Sequence, residues 1–132
     1  MRYATAQTAR TSSTLVLPTR HPVPSLEEAV KALHYAGVKV SVDSLVEDEL
    51  LRGRRAGADY LFSLSSKTLW ISDEVDSIPV LIGDDPTDIE SLFQTIELFK
   101  HRGKPFYADA ILDPIHYGLT DSIVRYHALR QR

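Results

Sequence analysis

The residues with chemical potential are carboxylates, hydroxyls and one imidazole placed where apolar runs end. Asp43 closes Val38-Lys39-Val40-Ser41-Val42, and Asp113 closes the run that begins after Gly103-Lys104. Ser63 and Ser65 stand at the end of Tyr60-Leu61-Phe62, and His116 follows Asp113 within Asp113-Pro114-Ile115-His116-Tyr117-Gly118. A carboxylate after an apolar strand must reach solvent or find hydrogen-bond donors, because burying it unpaired is costly. At the C-terminal tips of parallel strands such groups can meet a ligand. Each has a plainer use as well. Asp43 or Ser44 could cap a following helix, and the Asp113 loop could be a capped βα turn. Asp109, four residues before Asp113, would share its strand face if the strand were regular, so Asp109, Asp113 and His116 together offer oxygen and nitrogen ligands for a divalent metal. No His-x-His pair or His-Glu-x-x-His helix supports that metal reading, and no Gly-x-Ser-x-Gly elbow supports a serine nucleophile.

The elements that must hold these residues alternate. Apolar runs at 38–43, 60–65, 78–83 and 105–113 read as strands, and Thr14-Leu15-Val16-Leu17 could add another. Between them the spacing predicts helices over 26–35, 45–56 and 88–102, with a weaker one over 68–75. Ser25 with Glu28 reads as a capping box, Gly37 as the stop of the first helix, Thr87 or Asp88 as a cap of the third, and Thr120 or Asp121 as a cap of the last. Arg52, Arg54 and Arg55 read as solvated charges at a helix end, and Trp70 as core or interface. Strands alternating with helices specify an α/β protein with a parallel sheet.

Composition narrows the function. The 132 residues, 43 % hydrophobic and 25 % charged, suit one globular domain. A net charge of −3 gives no reason to expect nucleic acid as a partner, no apolar run reaches membrane-spanning length, and the lack of cysteine suits a cytoplasmic setting. Residues 1–24 form an atypical segment without Asp or Glu, open to disorder, ahead of one domain over 25–132.

Val40-Ser41-Val42-Asp43-Ser44, Ala56-Gly57-Ala58-Asp59 and Ile111-Leu112-Asp113-Pro114-Ile115-His116-Tyr117-Gly118 together resemble the pterin-binding barrel of the dihydropteroate synthases. They are most similar to the synthase-related branch associated with tetrahydromethanopterin pathways. The resemblance covers roughly residues 22–132. It implies a (β/α)8 barrel, of which this chain would supply four to five βα units as a partial TIM-barrel-like parallel sheet. It also implies that Asp43 and Asp113 hold a reduced pterin, with Ser63, Ser65 and His116 nearby, and that the chemistry is a transferase step of folate or tetrahydromethanopterin biosynthesis. Phe62 and Ser63 stand where the synthases have Asn-Asp, and Ile115 replaces the glycine after Asp-Pro. Neither a cofactor nor a bound metal is implied. A partial barrel leaves open edges and an apolar face, so a homo-oligomer is expected. The competing reading is a non-catalytic α/β module for self-association or for binding another subunit.

Overall fold

A computed structural model describes residues 7–9, 12–16, 24–74 and 76–132, with side chains over 24–73 and 76–132. The elements follow in the order β1 (Gln7–Ala9), β2 (Ser12–Val16), α1 (Leu26–Tyr35), β3 (Lys39–Asp43), α2 (Glu47–Arg55), β4 (Tyr60–Leu64), a 3-10 helix (Leu69–Glu74), β5 (Ile78–Leu81), α3 (Ile89–Lys100), β6 (Tyr107–Ala108) and α4 (Leu119–Gln131). All strands lie in one sheet in sequence order. β2 to β6 pair in parallel, and β1 adds an antiparallel edge. This is the α/β fold of successive βα units that the alternation specified. Among the described residues no helix is long and apolar enough to cross a membrane.

Consecutive parallel strands joined by right-handed crossovers place their helices on one side of the sheet. There α1 and α2 pack on β3 and α3 on β5. Val40 and Val42 turn to that side and are fully buried with Leu26, Val30, Leu50, Leu61, Leu64, Leu81, Leu92 and Phe99. By alternation and register the other face carries Ser41, Asp43, Tyr60, Phe62, Ile78, Val80 and Tyr107. The Tyr60 and Tyr107 rings lie 6.2 Å apart on this face, across the intervening β5.

Several local expectations change. Ser25 makes no side-chain cap, so the capping box is not formed, and α4 starts after Gly118 rather than from Thr120 or Asp121. Asp88 does cap α3, its Oδ1 accepting the Glu90 N–H at 3.0 Å. Arg52 is no solvated charge. Its Nε and Nη2 each donate to the Glu27 carboxylate at 2.6 Å, tying α2 to α1 with the fork geometry that suits guanidinium to carboxylate. Trp70 is 41 % exposed, outside the core. The strand expected over 105–113 pairs only at Tyr107 and Ala108, with a last bond from the Asp109 N–H to Leu81 O at 2.9 Å, and the chain then leaves the sheet through Ile111 at φ 57°, so Asp109 and Asp113 do not share a strand face.

Candidate functional site at the strand tips

β3 ends at Asp43, opposite Phe62 of β4. Between Leu61 and Leu64 the pairing of β4 with β5 slips, and Ser63 sits in the left-handed region at φ 67°. An irregularity of this kind re-aims the side chain at a strand end. Here the Ser63 hydroxyl donates to Asp43 Oδ1 at 2.7 Å. Ser44, not Asp43, serves the following helix. Its Oγ accepts the Val46 N–H at 3.0 Å and donates to the buried Glu49 at 2.7 Å. Asp43 is thereby spared the capping role, half-buried, with a hydroxyl orienting one of its oxygens.

The next tips are stapled together. Ser65 opens a turn in which its N–H donates to Thr68 Oγ1 at 3.0 Å, and Ser66 donates twice to Asp84, from Oγ at 2.6 Å and from N at 3.0 Å. Beyond β5, Gly83 is required by close approach. A Cβ on it would stand 2.2 Å from Ser91 Oγ and 2.8 Å from Leu92 N in the first turn of α3.

Asp113 has a different fate. Arg125 Nη2 donates to its Oδ2 at 2.7 Å and Ser122 Oγ does so at 2.9 Å, while the Asp113 N–H donates to Ser122 Oγ at 2.8 Å. Arg125 and then Ser122 hold the Asp113 carboxyl below the usual carboxylate range. Arg125, 7 % exposed, also donates to Ala110 O at 3.1 Å and Ile111 O at 3.0 Å, so it knits the chain leaving β6 to α4. Asp109 Oδ1 accepts the Ile111 N–H at 2.8 Å and the Tyr126 hydroxyl. Burial, then that bond to Asp109, pushes the Tyr126 phenol up to about 12. His116 is exposed in the loop, at φ 71°.

The structure thus joins Asp43 to Ser63, while Asp113, past the end of β6, is engaged in an internal clamp with Arg125 and Ser122. Three strand spacings of about 4.8 Å separate the β3 and β6 axes, roughly 14 Å. The sequence reading missed Arg125 and Ser122. Their signal was the pattern of α4, where these polar residues occupy the buried stripe while Ile123 and Val124 face out. Among the described residues no three metal-binding side chains gather, and Asp109 and Asp113 are engaged by Tyr126 and Arg125 rather than grouped with His116.

Among the described residues two hollows lie away from these strand tips. One of about 410 Å³ sits at the strand N-termini among Lys39, Arg54, Asp59 and Asp76, and one of about 470 Å³ lies between α3 and the end of α4, around Phe93, Leu98 and Arg132. In βα architectures the N-terminal end of the sheet serves stability and the C-terminal end carries ligands. Asp59 illustrates the first role, since its Oδ2 accepts the Val40 N–H at 2.8 Å and extends the β3–β4 pairing. No protein-family model matches the chain, and no curated protein does.

Proposed function

We propose that this chain binds a reduced pterin at the C-terminal tips of β3 and β4. Asp43 takes N–H donors of the aminopyrimidinone edge, and Ser63 orients its carboxylate. The observation that carries this reading is the 2.7 Å bond from Ser63 to Asp43, made by a serine held at φ 67°. A non-glycine residue in that region costs on the order of 1 kcal/mol, and such costs concentrate at working sites. Ser63, one of three non-glycine residues with positive φ among those described, lies near the end of β4, while Ile111 and His116 lie in the loop between β6 and α4. Ser65 and His116 belong to the outer rim in this reading, and the Asp113 carboxylate, engaged by Arg125 and Ser122, is given no direct ligand contact. The associated activity is a dihydropteroate synthase-like transferase step, in a cytoplasmic homo-oligomer.

Titration of the purified chain with a reduced pterin, followed by pterin fluorescence, tests it. Saturable binding is expected, and Asp43→Asn turns one acceptor into a donor. Losing a charge-assisted hydrogen bond of about 1.5–3 kcal/mol weakens affinity roughly 10- to 150-fold. Glu97→Gln, on the exposed side of α3, should bind as the parent does. Equal affinity of the two variants would move the site, and absence of saturation would leave the non-catalytic module. The commitment of Asp113 to Arg125 favours that second reading.

A further inference from the structure

The hollow of about 410 Å³ at the N-terminal end of the strands collects polar groups that the fold does not use. Its frame is made by other bonds. The Asp59 N–H donates to Val40 O at 2.8 Å, the Ile78 N–H donates to Asp59 O at 2.8 Å, and Ser77 Oγ donates to Ala58 O. Once these are formed, the Lys39 ammonium, the Asp76 carboxylate and the Tyr60 hydroxyl have no hydrogen-bond or ion-pair partner among the described residues. Lys39 Nζ lies 5.8 Å from the centre of the Tyr60 ring. Strand order sets the layout. Lys39 opens β3 and Asp76 precedes β5, so opposite charges enter from either side of β4, where Tyr60 stands between them and pairs with Ile78. Arg54 adds a second cation to the lining and Asp59 a second carboxylate. The mouth beside Gly57 is clear, since a Cβ placed there would meet nothing within 4 Å.

We propose that this hollow binds a free α-amino acid with an apolar side chain. Charge decides the class. Two cations in the lining favour a carboxylate, whereas two carboxylates beside them oppose phosphate and other dianions, so a ligand carrying one charge of each sign satisfies both sets. Lys39 takes the carboxylate of the ligand and Asp76 its ammonium. The Tyr60 ring and Ile78 receive the side chain, an apolar wall with polar groups at its ends being the usual make-up of a small-molecule site. Volume agrees, since about 410 Å³ stands near the lower end of the roughly 300–1,000 Å³ that such sites span. A carboxylate also offers Lys39 a charge-assisted hydrogen bond, which the Tyr60 ring does not. Lys39 and Asp43 bound β3 at its two ends, so this hollow is separate from the proposed pterin site and does not rest on it.

Amide-shift NMR titration of the full chain with L-leucine, L-leucinamide and N-acetyl-L-leucine tests the proposal. L-Leucine is expected to saturate with a dissociation constant of about 1 mM or below, moving the amides of 57–60 and 76–78. Removing either charge of the ligand, by amidation or by acetylation, should weaken binding at least about fivefold in the parent chain, a readout that needs no variant. Variants then sort the two ends. Lys39→Met should weaken L-leucine and leave L-leucinamide as it was, whereas Asp76→Asn should weaken L-leucine and leave N-acetyl-L-leucine as it was. Asp43→Asn should bind L-leucine as the parent does, which separates failure here from failure of the pterin site. No saturation by about 10 mM overturns the proposal. Equal affinity for the acid, the amide and the acetylated form overturns it too. Saturation of the same amides by inorganic phosphate in place of L-leucine would make the hollow an anion site and likewise overturn it.

Discussion

Ser63 sets orientation against backbone strain. Replacing it with glycine relieves the left-handed conformation, at about 1 kcal/mol, and removes a hydrogen bond of about 0.5–1.5 kcal/mol. Ser63→Gly should therefore unfold within about 0.5 kcal/mol of the parent while binding the reduced pterin more weakly, as urea melts and titration would report. Loss of stability with intact binding would make the serine a structural group. Arg125 is a different case. It is buried, and its guanidinium serves Asp113 and two backbone carbonyls, a fork that lysine cannot reproduce. Arg125→Met strands those acceptors and should cost about 1–3 kcal/mol in a urea melt, with Arg125→Lys recovering only part. Glu27 governs acid behaviour. The Arg52 guanidinium lowers its carboxyl from the usual 4.5 to about 2. A group depressed in the folded state contributes stability that is full above 4.5 and is lost as pH falls through about 2. Glu27→Gln should flatten stability against pH in that window, and a difference confined to neutral pH would put the pairing energy elsewhere.

Helix α2 lies close on β3 because Gly53 lets it. A Cβ there would stand 2.7 Å from Val42 Cγ2, and Val42 is fully buried and stiff at χ1. Alanine would gain about 1 kcal/mol of helix propensity, yet overpacking costs about 1–3 kcal/mol. Gly53→Ala should therefore destabilise despite improving the helix, and a raised melting temperature would show that the α2–β3 contact yields cheaply. The last unit is the loosest. β6 pairs with β5 through Val80 opposite Tyr107 and Leu81 opposite Ala108 alone, and the buried residues of α4 are polar. By contrast β3 carries two fully buried valines between paired neighbours. Native-state hydrogen exchange should open β6 and α4 before β3 and β4, and uniform protection would mean that the sheet opens as one unit.

For the molecule as a whole, sequence order of the strands means that each βα unit rests on the one before, with the helices on one side and a mixed polar and aromatic face on the other. That face carries Asp43, and away from it α4 exposes Ile123 and Val124. If the tip of β3 takes the ligand, Asp43→Asn is expected to weaken pterin binding with the far-ultraviolet spectrum unchanged, as titration and circular dichroism would report.

The sequence by itself determined the alternation of strands and helices, the bounds of α1, the glycine stop at Gly37 and the place of Asp43 at a strand end. These are local facts, written in the period of apolar residues and in glycine's access to positive φ, which is 76° at Gly37. Only the tertiary structure decided what each carboxylate faces. Asp43 and Asp113 both follow apolar runs, yet one is oriented by Ser63, twenty residues along, and the other is neutralised by Arg125, twelve residues along. The same holds for the end of β6, where the apolar residues of 109–112 promised a strand but pairing stopped at Ala108. Apolar period records which side of an element avoids water. Which donor reaches a given oxygen depends on chain crossings between distant residues, and those exist only once the sheet has formed.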